Sequence, residues 1–379
     1  MEKRKLTVAG AVAGTVLGAG GLVWLGVPAG ASQSPALPEV SAEDLIESVL
    51  TVQPQALGGT VQVENDLGLP SIPGLELPAG VGAGTSSAQV WSDGGERFRL
   101  AVRHRGGEDV LVGDGRNIWS WNSEERTATR DDVGGADRAT EGHPELADTD
   151  PASVAAELTA LLREDSGVAV DGTAEVAGRA AYELVLAPSP EQRSLVREVR
   201  IAVDGDTRMP LRVSVLANGT ETPAFQVGFT ELDLGEQDES LFEFDPPAGS
   251  LVEERDAEAP AEDAPHALPE GVDPAEVTPT LHGAGWESVV IAQSPVGLSP
   301  DGLRDTLDGI DTDEWDEDEL AGMDPADLLD QVGERVTGEW GEGYLVETRL
   351  LTVLLVEDGR VAAGAVPAQV LTEALAAQR

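Results

Sequence analysis

Successive short stretches of this chain alternate apolar and polar side chains with a period of two, and this pattern constrains the fold more than any other. Neighbouring side chains of an extended strand point to opposite faces, so such a stretch buries one face and solvates the other. Phe98, Leu100 and Val102 alternate with Arg97, Arg99 and Arg103. Tyr182, Leu184 and Leu186 alternate again, as do Val199, Ile201 and Val203, then Leu211, Val213 and Val215, then Phe225, Val227 and Phe229. Trp119 and Trp121 share a face behind the turn-like Asp114-Gly115, and Asp204-Gly205-Asp206 punctuates a later strand. Asn218-Gly219 predicts a two-residue hairpin turn, both residues tolerating a positive φ. One-faced strands joined by short turns predict a curved antiparallel sheet whose inner face needs an apolar cover.

Two helices are available as that cover. Ser41 followed by Asp44 has the spacing of a helix start, and Leu45, Ile46, Val49 and Leu50 follow at helical intervals. A second helix is predicted near Asp150–Arg163, with Val154, Leu158, Leu161 and Leu162 on one stripe. If the two suffice, the inner face closes into a dry core; if they fall short, an apolar groove remains. Residues 253–279 hold five prolines among acidic side chains and read as an extended linker. Residues 280–379 read as a small α+β unit. It contains a strand at Trp286–Ile291, helices at Pro300–Leu307 and Pro325–Val336, a hairpin around Asp358-Gly359, and a closing helix at Pro367–Ala377. The expected organisation is therefore 1–31, 32–252, 253–279 and 280–379.

The first of these segments is an export signal. Lys3, Arg4 and Lys5 precede an uncharged run from Leu6 to Val27, and Ala29-Gly30-Ala31 offers a small-residue cleavage site with Ser32 as the first mature residue. The run is also long enough to stay uncleaved as a transmembrane anchor. Either way the bulk of the chain lies in the extracytoplasmic cell envelope, secreted or tethered.

Charge removes several functions. With 70 acidic against 24 basic residues the net charge is −46, a field that repels phosphates, so nucleic acid is excluded as a partner. There is no cysteine, hence no thiolate metal site and no cysteine nucleophile. His104, His143, His266 and His282 lack the paired spacing of a helical zinc site, and no G-x-S-x-G elbow occurs. The acidic stretch over 308–319 has no glycine between Ile310 and Ala321, where an EF-type loop would need one at its sharp turn, and reads as a solvated loop. No cofactor, metal or catalytic residue is expected, and the chain reads as a binding protein, not an enzyme. Leu69, Ile72, Leu75 and Leu77 lie on a Pro- and Gly-rich loop, Leu67–Gly84, which is either a gate over an apolar groove or a flexible hairpin tip.

Three stretches carry a resemblance to a known family. Val199–Arg212 resembles the strand, Asp-containing turn, Pro-Leu-Arg and return strand of the LolA/RseB family of lipoprotein-carrier-like proteins. Val110–Trp121 is similar to one of its central hairpins, and Leu241–Pro247 to its closing strand. The resemblance spans roughly residues 41 to 250, and the lysine-poor composition, with only Lys3 and Lys5, points to an actinobacterial type. It implies a half-open antiparallel β-barrel covered by helices, here joined to the small C-terminal α+β unit. It also implies a carrier that holds lipid or lipoprotein acyl chains in an apolar groove. The apolar faces place Phe98, Leu100, Tyr182, Val213, Phe225, Val227 and Phe229 along that groove. The alternative implied by the same family is a sensory module acting on an anti-sigma factor; a membrane transporter is the further candidate partner. The family's acyl-binding arginine maps onto no position here.

The export signal is checked by fractionation and amino-terminal sequencing. The expected product starts at Ser32 or remains membrane-bound with its leader attached, and a soluble cytoplasmic chain with an intact amino terminus would exclude both.

Overall fold

The computed structural model describes residues 35–68, 84–104, 106–132, 151–256, 279–293 and 333–378. The export segment with Ala31 and Ser32, the loop over 69–83, the expected helix at 300–307 and the acidic stretch at 308–319 lie outside the described residues.

The alternating segments form strands of one twelve-stranded sheet. The amino-terminal set is β1 (Ala56–Asn65), β2 (Gly84–Asp93), β3 (Arg97–Arg103), β4 (Glu108–Asp114), β5 (Asn117–Asn122) and β6 (Thr127–Asp132). The second set is β7 (Ser166–Val176), β8 (Arg179–Pro188), β9 (Val196–Asp204), β10 (Pro210–Ala217) and β11 (Pro223–Leu234), with β12 (Leu251–Asp256) closing the count. The order across the sheet is β12-β6-β5-β4-β3-β2-β1-β11-β10-β9-β8-β7. Two meanders are thus sewn together where β1 pairs antiparallel with β11, Val63 opposite Val227. The sheet is open, with β12 and β7 at its edges, yet β7 touches β11 across three intervening strands, so this half curls strongly. The architecture is that of a half-open, barrel-like antiparallel sheet carrying few helices.

One pairing departs from the antiparallel rule: β12 runs parallel to β6. Parallel neighbours need a long crossover, and the segment after β11 supplies it by crossing the outer face. There Phe242 is buried, Arg97 lies over its ring, and Phe244 packs against Trp119 and Trp121 at 5.6 and 6.4 Å. Trp119 and Trp121 share this face with Ala101, Val110 and Val112, so the face carrying Arg97 and Arg99 is partly apolar as well.

The covering helices are α1 (Ala42–Thr51) and α2 (Pro151–Leu162). The Ser41 hydroxyl accepts from the Asp44 amide at 3.1 Å, satisfying one of the unpaired amides of the first turn. Leu45 and Val49 of α1 and Val154, Ala155 and Leu162 of α2 are buried against the inner face.

The Asn218-Gly219 hairpin forms, but its turn is longer than two residues. The Thr220 amide donates to the Ala217 carbonyl, Gly219 alone takes a positive φ (80°), and β11 begins only at Pro223. A single left-handed residue is what a type II turn needs. Asn218 instead spends its side-chain amide on the Ser194 carbonyl at 2.7 Å.

A smaller sheet has the order β13 (Thr280–His282), β14 (Val289–Gln293), β18 (Arg360–Gly364), β17 (Thr352–Val356), β16 (Gly341–Glu347) and β15 (Glu334–Gly338). Helix α3 (Ala368–Ala376) packs on it through Val370, Leu371 and Leu375 against Leu354, Val356 and Ala362. The hairpin at Asp358-Gly359 and the closing helix stand as expected. Glu334–Val336, expected at the end of a helix, instead open β15, because Gly338 pairs with Gly341 across a tight hairpin that continues the sheet.

The turn from β9 to β10 is held by a buried carboxylate. Asp204, 1% exposed, accepts from Arg179 through both oxygens at 2.5 and 3.0 Å, and from the Asp206 and Thr207 amides and the Thr207 hydroxyl. Burial alone would raise its pKa, but the hydrogen bonds from Arg179 and Thr207 outweigh it and hold the carboxyl below its ordinary value. Removing Arg179 leaves that charge unpaired, so Arg179→Ala is expected to cost about 3 kcal/mol in chemical denaturation. Because the folded pKa is depressed, the stabilisation is full above the unfolded value of about 3.9 and is lost as pH falls through the folded value. Asp204→Asn should therefore flatten the acid limb of the stability profile.

Candidate functional site

Two short helices do not cover the inner face, and the smaller sheet completes the cover. Trp286, on a 3-10 turn between β13 and β14, and Leu350, between β16 and β17, both pack into the core of the large sheet. Between this contact and α2 lies a cavity of about 150 Å³. One wall is the α2 stripe Val154, Leu158, Leu161 and Leu162; the second is Val196, Val199, Val215 and Phe225 of the large sheet. The third comes from the smaller unit through Trp286, Val290, Leu350, Leu351 and Ala365. Glu157 and Ser288 bring the polar groups, and among the described residues no lysine or arginine lines the space. Leu281 of β13, 51% exposed, stands in the lining and marks its outlet to solvent.

Trp286, Leu350 and Ala365 of this third wall each sit at or beside an attachment to the larger unit. Glu287, next to Trp286, accepts from the Arg193 amide and guanidinium at 3.0 Å, and Arg193 also reaches Glu373 of α3 at 2.8 Å. These bonds, backbone amide first for Glu287 and guanidinium first for Glu373, hold both carboxyls below their ordinary values. Arg349, next to Leu350, pairs with Asp66 and donates its amide to the Leu67 carbonyl at 2.8 Å. The Ala365 carbonyl accepts from the Leu195 amide and the Ser194 hydroxyl at 2.8 and 3.0 Å. The Trp286 indole donates to the Ser166 hydroxyl at 2.8 Å, which donates in turn to the Leu162 carbonyl at the end of α2 at 2.6 Å.

Of the residues expected along a groove, Phe225 lines this cavity. Tyr182, Val213, Val227 and Phe229 are buried in the adjoining core, with the Tyr182 hydroxyl donating to the Pro38 carbonyl at 2.8 Å. Phe98 and Leu100 are half-buried on β3, in the other arm of the sheet, outside that core. The α2 stripe was legible as a helix face, whereas nothing in the local pattern around Trp286 tells that its ring belongs to the other unit. Among the described residues no group of three or more His, Asp or Glu could hold a metal ion. Among them also, no helix is long and apolar enough to cross a membrane; the run from Leu6 to Val27, where an anchor was expected, lies outside them.

No family model and no curated protein matches this chain. Among solved structures it is similar to the MucA/MucB complex of Pseudomonas aeruginosa, at 16% identity and a TM-score of 0.41 over 88% of this chain and 96% of that chain. It is also similar to a LolA superfamily protein of Nitrosomonas europaea, at 11% identity and a TM-score of 0.22 over 54% of this chain and 99% of that chain. The third is the lipoprotein LppX of Mycobacterium tuberculosis, at 9% identity and a TM-score of 0.27 over 52% and 95%. At these identities and TM-scores none of the three likenesses bears on function.

The wall and the dry core behind it should respond differently to a charge. Val213→Asp or Phe229→Asp puts an unpaired carboxylate into tightly packed core, at a cost of several kcal/mol, and should unfold the large sheet in a thermal melt. Leu281→Asp, at the exposed outlet, should leave the melting temperature nearly unchanged.

Proposed function

We propose that the protein is an exported carrier, not an enzyme, that holds the apolar end of a lipid or lipoprotein acyl chain at the seam between its two sheets. The observation that carries this reading is the cavity: three apolar walls, an exposed apolar outlet at Leu281 and no cation among the lining residues. Such a site recognises area removed from water, at roughly 25 cal/mol per Å², and not a headgroup charge. Of the seven aromatic and aliphatic residues first expected along the groove, Phe225 is in contact, and Tyr182, Val213, Val227 and Phe229 act as the packed floor behind it. Volume limits the ligand. Apolar cavities of about 150 Å³ accept a molecule of benzene size, whereas sites for larger ligands run from about 300 Å³ upward. The closed form holds a chain terminus, and a whole chain requires a wider seam.

The same volume favours a second reading. A space of this size takes one apolar side chain of a protein partner, as the anchor pocket of an interface does. The partner would be the outer domain of an anti-sigma factor, or a membrane transporter that receives the cargo.

Mass spectrometry of lipid co-purifying with the mature protein tests the carrier reading. Affinity for neutral single-chain amphiphiles should rise with chain length and stay flat between low and high salt. Leu158→Trp, which fills the cavity from α2, should abolish that binding. A protein that retains no lipid and binds no amphiphile of any length would leave the peptide-anchor reading in its place.

A further inference from the structure

We propose that Trp286 is a displaceable plug: its turn inserts the indole into the groove beneath α2 where a ligand chain would otherwise extend, and the ligand is admitted when that turn withdraws. The inference rests on the carrier reading above and concerns how its site is opened.

Trp286 belongs by sequence to the smaller unit, yet it packs into the core of the larger one and not into its own. It is 4% exposed and lines the cavity, so withdrawing the indole would add its own volume to a space that now holds only a chain end. The turn is shaped for a close but separable fit. Gly283 and Gly285 both take positive φ, 80° and 53°, and a Cβ on Gly285 would lie 2.5 Å from Asp165. The Ser166 hydroxyl that accepts from the indole itself donates to the Leu162 carbonyl, so withdrawal removes a contact at the end of the helix that forms the opposite wall.

The ion pairs that fasten the plug are of the weak kind. Arg193 with Glu287 and Glu373, and Arg349 with Asp66, are all substantially exposed, and exposed ion pairs contribute little because water and salt screen them. Closure also works against charge. Residues 280–379 contain 21 acidic and 5 basic residues, and the remainder of the chain is strongly acidic too, so the two units repel. A well-seated indole under weak fastenings is a self-ligand that a longer apolar chain can replace.

The test uses the full mature protein and the uncharged fluorescent amine N-phenyl-1-naphthylamine. Trp286→Ala should bind it about tenfold more tightly than wild type, because a closed state no longer competes with the bound one. Weaker binding would make the indole a contact wall for the ligand and overturn the plug. Arg193→Ala/Arg349→Ala keeps every lining side chain and should take up the probe severalfold faster; an unchanged rate overturns the proposal even where Trp286→Ala fails to fold. If wild type and all variants bind no probe, the carrier reading itself fails. If all bind it alike, that reading stands and only the plug is lost.

Discussion

A sheet of twelve strands spaced by about 4.8 Å is about 50 Å across, and its inner face is lined by Val61, Leu184, Ile201, Val213 and Val227 among others. At 1.5 Å per residue, ten-residue α1 and twelve-residue α2 are only about 15 and 18 Å long. That mismatch shapes everything else. The curl that brings β7 against β11 narrows the face on one side, and α1 and α2 cover what the curl leaves. The remaining strip beside α2 is covered by Trp286 and Leu350, which come from another sheet altogether. A cover assembled from two units with separate cores packs less completely than one grown within a single core. The cavity lies along that join.

Electrostatics decides what such a cavity can recognise. Beyond Lys5 every cation of the chain is an arginine or a histidine, and the described arginines are largely engaged by neighbouring acids. Arg179 serves Asp204, Arg200 and Arg212 flank the buried Glu183, and Arg193 and Arg349 fasten the two units together. None of these guanidinium groups lines the cavity. With no described guanidinium group lining the cavity, a ligand held there would gain from burial of apolar area and not from charge pairing.

What the sequence made legible follows from the range of each signal. Period-two alternation tells which face a side chain takes; it placed β3, β8, β9, β10 and β11 as strands and grouped the inner residues of the last four in one core. Local capping and turn chemistry found the start of α1 and the hairpin at Asp358-Gly359. Alternation does not tell which strand lies beside which. Phe98 and Leu100 share a period with Phe225 and Phe229, yet β3 and β11 are separated by β2 and β1 in the sheet. The parallel β12 depends on a crossover anchored by Phe242 and Phe244, and the place of Trp286 depends on a fold-level docking with no local trace. At Asn218 a contact to Ser194 that no window of sequence contains selected a longer turn than the dipeptide favours alone.

The location of the cavity bears on the two proposed readings more than its chemistry does. A ligand enclosed within one rigid core can be bound without changing how that core meets anything else. A ligand held where two units share a wall has a different affinity for each arrangement of those units, and it therefore shifts their equilibrium by that difference. The coupling is reciprocal: whatever grips the smaller unit from outside must change the affinity for the chain within. Along this seam the wall residues Trp286 and Leu350 are adjacent in sequence to Glu287 and Arg349, the residues that fasten the units, so occupancy and fastening cannot vary independently. A carrier that must release its cargo to a receiver, and a sensor that must report cargo to a partner, need this same coupling. On the proposed reading, the partner that binds the smaller unit decides which of the two the protein is.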